Sequence, residues 1–234
     1  MSTLLLRLAA PMQSWGMESK FNYRKTGREP SKSGVVGLLA AALGRGRGDS
    51  VEDLAALRFG VRIEQPGQIL RDLQIAKYQK SESKVDTYLT HRDYLFDAAF
   101  LVGLESPQEE FLQNLTQALQ APAFPLFLGR RSCPPTQPLV LGIRPGSLEE
   151  TLTQEPWQAS DWFQRKAKRS DSTVWLRVLA DAPAEEEGVF QHDCPKSFHV
   201  EHREYGYRKV RELPSVPIYQ PDAEKIEHDP MKGW

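Results

Sequence analysis

The sequence predicts an α+β fold, with a β-α-β-β-α-β succession over residues 1–145 and a mostly β extension over 146–234. Three observations predict it. Apolar runs of strand length recur near residues 3, 59, 98 and 139, two segments carry helix-start chemistry, and a polar, Tyr-bearing stretch separates two of the strands.

Thr3 to Ala9 is an apolar run broken only by Arg7 and bounded by Ala10-Pro11, which marks a buried first strand. From Pro11 to Pro30 no period is sustained. A loop of about twenty residues exceeds the ~12–15 that structureless loops reach unless they are functional. Ser31-Lys-Ser-Gly then opens the run Val35 to Leu43, where a serine cap, Pro30 before it and Gly44 after it mark a helix that is apolar on nearly every side and therefore buried. Phe59 to Glu64 alternates, meets Pro66-Gly67 and resumes from Ile69 to Ile75, the pattern of a hairpin. Residues 76–92 have little core character and read as a protruding arm before the strong strand Ala98 to Leu104. Ser106-Pro-Gln-Glu109 has serine at a cap, proline at the first helical position and glutamate three residues after the cap, with Phe111, Leu112, Leu115 and Leu119 on one face. Pro125 to Leu128 and Leu139 to Leu141 read as short strands flanking an Arg/Pro-rich loop, Gly129 to Pro135. Two helices on one face of such an antiparallel sheet is the ferredoxin-like arrangement. Beyond Gly146 the pattern gives a strand near Thr173 to Leu179, an acidic turn at Glu185 to Glu187 and a last strand or hairpin over Phe198 to Val210.

The chain has 234 residues, 40% hydrophobic and 26% charged, which fits a globular protein and excludes collagen-like or disordered character. Two cysteines, Cys133 and Cys194, are too few for a disulfide scaffold and fit a reducing cytosol, so a cytoplasmic location is expected. Gly34 to Gly44, the longest uncharged apolar stretch, is shorter than the ~20 residues a bilayer requires, and the N-terminus reads as a strand, not a signal peptide. No membrane partner is expected. The net charge of -1 conceals an asymmetry: residues 1–48 hold eight Lys/Arg against two acids, a surplus of +6, and the remainder carries -7. A localised basic face binds anions even on a nearly neutral molecule.

Gly27-Arg-Glu-Pro-Ser-Lys-Ser33 resembles a phosphate-binding loop superficially, but Lys32 comes one position early and lacks the preceding glycine. A helix N-terminus beside Ser31, Lys32 and Ser33 still favours a phosphate, and plain capping beside solvated Arg28 explains the same residues equally well. Gly44-Arg-Gly-Arg-Gly48 presents Arg45 and Arg47, and the later loop presents Arg130 and Arg131; three such loops suggest a polyanion track, against the alternative of surface turns. Trp15, Tyr23, Tyr78, Tyr88 and Tyr94 are interleaved with these charges as stacking candidates, or as ordinary packing. No RNP1 octamer is present, so binding would fall to loops. His192, Cys194, His199 and His202 lack a standard zinc spacing, and alternation along a strand places His199 and His202 on opposite faces, so hydrogen-bonded or solvated histidines are expected. Lys84, Tyr88 and His91 supply the residue types of a metal-independent ribonuclease without any sequence sign of convergence. Neither a G-x-S-x-G elbow nor a catalytic cysteine signature occurs.

Gln13-Ser-Trp-Gly16, Arg24, Thr26, Pro30-Ser-Lys-Ser-Gly34, Gly37 to Gly44, His91-Arg-Asp-Tyr-Leu95 with Asp97-Ala98, and Phe127 to Pro135 stand in the order found in one family. The chain resembles the CasD subunits of the type I-E CRISPR surveillance complex Cascade, within the RAMP superfamily, most clearly over residues 3 to about 145. Tyr205 to Val210 is the best match in the remainder. The resemblance implies a modified RRM or ferredoxin-like palm, a β-hairpin thumb inserted at about 76–97, and a C-terminal extension over 146–234 packed on the palm. It implies a non-catalytic subunit, without cofactor or metal, that holds the 5′ handle of the CRISPR RNA (crRNA), caps the backbone subunit beside the large subunit and meets target DNA only through the complex. A related type I-C subunit processes precursor RNA, which keeps a metal-independent endoribonuclease as the alternative. Carried onto this sequence, Gln13, Ser14, Trp15, Arg24, Arg28, Ser31, Lys32 and Ser33, with Arg130, Arg131 and Ser132, are expected along the RNA; Arg45 and Arg47 flank them, and Tyr88, His91 and Arg92 clamp nucleotides from the thumb.

Overall fold

A computed structural model describes residues 1–16, 19–20, 22–81, 84–170, 173–183 and 185–219. Strand β1 (Ser2–Gln13) pairs antiparallel with β6 (Lys84–Ser106) on one side and β7 (Val140–Pro145) on the other. It runs past Pro11, contrary to the predicted end, because pairing with β7 stops at Leu6 and only β6 continues alongside, leaving an edge where a residue without N–H is tolerated. β4 (Arg58–Gln65) lies on the far side of β6, so β7-β1-β6-β4 forms an antiparallel unit. The β-α-β-β-α-β succession is as expected, with α1 (Lys32–Ala42) after β1 and α3 (Glu109–Gln120) after β6. A single turn, α2 (Glu52–Ala55), precedes β4.

The period of two in β1 sorts its side chains into two cores. Leu4, Leu6 and Leu8 join Val35, Leu39, Phe59, Phe100, Leu112 and Leu115 under α1 and α3. Leu5 joins Leu101, Leu148, Leu152, Leu176, Val178, Ala180 and Val216 on the other face. Helices therefore cover both faces. The second is covered by α4 (Leu148–Gln154), which the sequence reading missed although Ser147 and Glu150 form a complete capping box. Its close approach is permitted by the cross-strand pair Gly60 and Gly103, where a Cβ would lie 2.8 Å from Leu152 and 2.5 Å from Leu148 respectively. A further helix, α5 (Asp161–Ser170), was also unanticipated.

The predicted hairpin between residues 59 and 75 is corrected. The chain does turn at Pro66-Gly67, but β4 pairs with residues 99–105 of β6 while β5 (Gln68–Ser81) pairs with residues 84–96. Asp97, at φ 52, lies within β6 between the two regions and has no register partner in any of its pairings. The arm thus begins at Gln68, earlier than predicted, and Leu70, Leu73 and Ile75 are exposed instead of filling a core. Fourteen residues at ~3.3 Å each give it a reach of about 45 Å. Two further corrections concern ends. Residues 125–128 form no strand, and α3 starts at Glu109, with Ser106 still in β6 while its Oγ accepts from the Gln108 N–H at 3.1 Å.

β8 (Thr173–Asp181) adds to β4, β10 (Glu204–Tyr219) to β8, and β9 (Val189–Ser197) to β10, extending the same sheet. The expected hairpin over 198–210 is really β9/β10, and residues 198–203 are its connection. Short strands β2 (Ser19–Lys20) and β3 (Tyr23–Arg24) pair with each other, and β3 lies parallel to His91 and Arg92. No helix among the described residues is long and apolar enough to cross a membrane.

Candidate nucleic-acid interface

Several residues expected along a ligand are buried and hydrogen-bonded within the fold. Gln13 is fully buried: its amide donates to the Ala98 carbonyl at 2.7 Å and the Leu8 carbonyl at 3.3 Å, and its oxygen accepts the Trp15 indole N–H at 3.0 Å. Trp15 is 1% exposed and packs under Gly34, so it offers no stacking face to solvent. Gly129 crosses directly over Ser14, where any Cβ would overlap the Ser14 carbonyl, and this pins the second basic loop to the end of β1.

Lys32 is likewise withdrawn. It is 6% exposed, and its ammonium lies 3.0 Å from Asp181 Oδ2. Arg208 completes the cluster, donating to Asp181 Oδ1 and Asp193 Oδ1 at 2.6 Å each. At the N-terminus of α1 the Ser31 hydroxyl accepts the Gly34 N–H, and Asp193 accepts the Lys32 N–H at 2.8 Å. The helix end already holds a carboxylate where a phosphate was considered. Arg45 is bound bidentately by Asp53 at 2.5 Å and by the Ser50 carbonyl.

What remains open gathers at the root of the arm. Arg130 ties the parts together: it donates to the Asp93 carbonyl at 3.1 Å and the Arg24 carbonyl at 2.9 Å, and its guanidinium lies 4.6 Å from the Tyr94 ring centroid. Tyr94 OH stands 3.4 Å from Ser132 Oγ. Burial pushes the Tyr94 phenol up, but the Ser132 hydroxyl and the Arg130 guanidinium outweigh it and hold the phenol below its ordinary range. Burial raises the neighbouring Cys133 thiol, which speaks against a reactive cysteine. Beside this anchor Arg24 and Arg131 are exposed, as is Arg28 four residues after Arg24, with no ion-pair or hydrogen-bond partner for their guanidinium groups among the described residues. Tyr23 stacks on His91 at 4.8 Å with the rings 9° apart. His91 Nδ1 and Arg92 Nε are buried with no hydrogen-bond partner among the described residues.

Register separates the ribonuclease candidates. Tyr88 is opposite Ala76 and His91 opposite Leu73, an odd step that puts them on opposite faces of the arm, about 10 Å apart along the strand. Lys84 lies further out, beside the tip. The histidines near the C-terminus also differ from expectation: His199 and His202 stack at 5.6 Å within a connection, not on alternating strand faces. His192 stacks on Tyr207 and contacts the Tyr205 carbonyl. No group of three or more possible metal-ligating side chains occurs among the described residues.

Sequence reasoning missed Phe198, Arg203 and Tyr205. With Ser33, Gly34, Gly129 and Asp193 they line a cleft of ≈ 470 Å³ beside α1. Their sequence signal was an aromatic and basic run at the start of β10 and in the connection before it, with Tyr205 opening the segment that resembles the family.

The family model described as "CRISPR-associated protein (Cas_Cas5)" matches residues 3–211. The chain is 38% identical over 161 residues to the "CRISPR system Cascade subunit CasD" of Escherichia coli (strain K12), covering 60% of this chain and 70% of that one. It is similar to a chain of a solved "CRISPR RNA-guided surveillance complex" at a TM-score of 0.75 and 32% identity, covering 92% and 91% of the two chains. A structure described as "Crystal structure of Cas protein" gives 0.69 and 39%, covering 92% and 95%. A fold and a sequence that match together over almost the whole described chain place this protein in the Cas5 family of CRISPR-associated proteins.

Proposed function

We propose that the chain is a non-catalytic RNA-binding subunit of a cytoplasmic type I-E CRISPR surveillance complex. It holds the 5′ handle of the crRNA, contacts the backbone and large subunits, and meets target DNA through them. In this reading β7-β1-β6-β4 with α1 and α3 is a ferredoxin-like palm, residues 68–97 are the thumb, and 146–234 is an extension of the palm.

The observation that carries it is the root of the arm, where exposed Arg24 and Arg131, next in the chain to Tyr23 and Arg130, accompany the Tyr23–His91 stack on a frame fixed by Arg130, with exposed Arg28 further along the same loop. Guanidinium groups next to an aromatic platform suit a single strand, with phosphates neutralised and an unpaired base stacked. The ribonuclease alternative loses support from the opposed faces of Tyr88 and His91, and nucleotide hydrolysis from the carboxylate at the N-terminus of α1.

The test is end-labelled, repeat-derived RNA incubated with the protein in EDTA and run on paired native and denaturing gels. Intact, shifted RNA whose shift is lost in Arg131→Glu supports the reading. Discrete cleavage abolished by Tyr88→Ala or His91→Ala overturns it.

A further inference from the structure

We infer that the cleft beside α1 is a slot for one unpaired nucleotide, separate from the root of the arm. The inference rests on the RNA-binding reading and adds a site to it. One wall is the first turn of α1 at Ser33 and Gly34, which line the cleft. A Cβ on Gly37 would touch Phe198 at 3.9 Å, so Phe198 packs against α1 one turn further along and is held at the side of the cleft. Tyr205 meets Phe198 edge-on, with centroids 6.5 Å apart and planes at 64°, which makes an aromatic corner at the cleft where both residues line it.

Polar groups fit the rest of a nucleotide. Ser14 is 2% exposed, lines the cleft, and its Oγ is buried with no hydrogen-bond partner among the described residues. A hydroxyl both donates and accepts, so it can meet the edge of any base, and a buried one left unmade is costly. Arg203 is exposed at the rim with no ion-pair or hydrogen-bond partner among the described residues, in position for the phosphate. The aromatic corner suits a base, the Ser14 hydroxyl its edge and Arg203 its phosphate, and the volume of the cleft accommodates a single nucleotide.

The test titrates the full chain into repeat-derived single-stranded RNAs, each with 2-aminopurine at one position, reading anisotropy for binding and fluorescence for stacking. One position is expected to be quenched on binding. Phe198→Ala should restore its fluorescence and weaken binding about tenfold, the scale of one lost stacking platform. Phe198 also packs on the core, so Arg203→Ala, at an exposed position, is the second variant: it should reduce the slope of log affinity against log salt by about 0.7, one phosphate contact. Binding with no quenched position, or quenching that neither variant alters, overturns the slot and leaves the RNA-binding reading intact. Flat anisotropy for every RNA overturns the RNA-binding reading itself, and the slot with it.

Discussion

Replacing Lys32 with methionine separates a structural role from an RNA-contacting one. Methionine keeps the apolar stem and deletes the ammonium that lies 3.0 Å from Asp181, in a pair whose side chains are 7% and 14% exposed. Removing one partner of a buried pair costs about 3–5 kcal/mol, because the other charge is stranded. Here Asp181 keeps Arg208 at 2.6 Å and the Phe59 N–H at 3.0 Å, so the loss falls at or below that lower bound, about 2–3 kcal/mol. For a chain of this size each kcal/mol shifts Tm by about 2–4 °C, and the expected drop is about 5–10 °C. Thermal unfolding by circular dichroism measures it. RNA affinity at 25 °C, well below the transition, should keep its salt dependence. An unchanged Tm together with a salt slope shallower by about 0.7 would mean that the ammonium neutralises a phosphate, and the assignment to the fold would be refuted.

Other perturbations address the remaining parts. Arg28→Ala and Arg131→Ala should leave Tm unchanged and each reduce the salt slope of RNA binding by about 0.7, read by fluorescence anisotropy between 50 and 300 mM salt (roughly), with a steep unchanged slope counting against both. Gly34→Ala places a Cβ 2.9 Å from the fully buried Trp15 ring and should lower stability by about 1–3 kcal/mol in urea unfolding. Asp53 and Asp93 are held below the usual carboxylate range by Arg45 and Arg71; for Glu149, burial pushes upward but Arg58 and Arg211 outweigh it. Their folded-state values are depressed, so their stabilisation is present at neutral pH, starts to fall below the unfolded range of about 4, and is lost as pH drops through the depressed values. Melting curves between neutral pH and about pH 3 should show that loss, and a flat profile would contradict it.

Elements specified by their own residues were legible in the sequence. Ser31, the apolar run and Gly44 delimit α1 within a residue, because cap and stop are local chemistry. β6 was not legible as one strand: its outer half carries apolar residues that pair in an exposed ribbon, and Asp97 looks like an ordinary polar turn residue. Partners far apart in sequence hid the site in the same way. Lys32 meets an aspartate 149 residues away, and Arg130 a carbonyl 106 residues away, so two cations that look solvated in a local reading are committed to the fold. The free arginines could be named as basic residues in loops, but nothing local distinguished them from Lys32, Arg45 or Arg130.

The same long-range contacts tie the extension over 146–234 to the strands and helices before it. The extension supplies six of the eight buried residues of the second core, Leu148, Leu152, Leu176, Val178, Ala180 and Val216. At ~1.5–3 kcal/mol for each of the five large aliphatic side chains among them, their burial contributes about 8–15 kcal/mol, as much as the roughly 5–15 kcal/mol by which domains are ordinarily stable. It also supplies Asp181 and Asp193, without which Lys32 is left with neither of these acids, and β8, which pairs with the edge of β4. A fragment ending at residue 145 should therefore fail to unfold cooperatively and should lose specific RNA binding, since α1 and the loops fixed by it would no longer be held. Calorimetry and the anisotropy titration check this. A fragment that melts in one sharp transition and binds RNA with the salt slope of the full chain would show that the extension is an accessory, and that the inward-facing acids do not organise the basic surface.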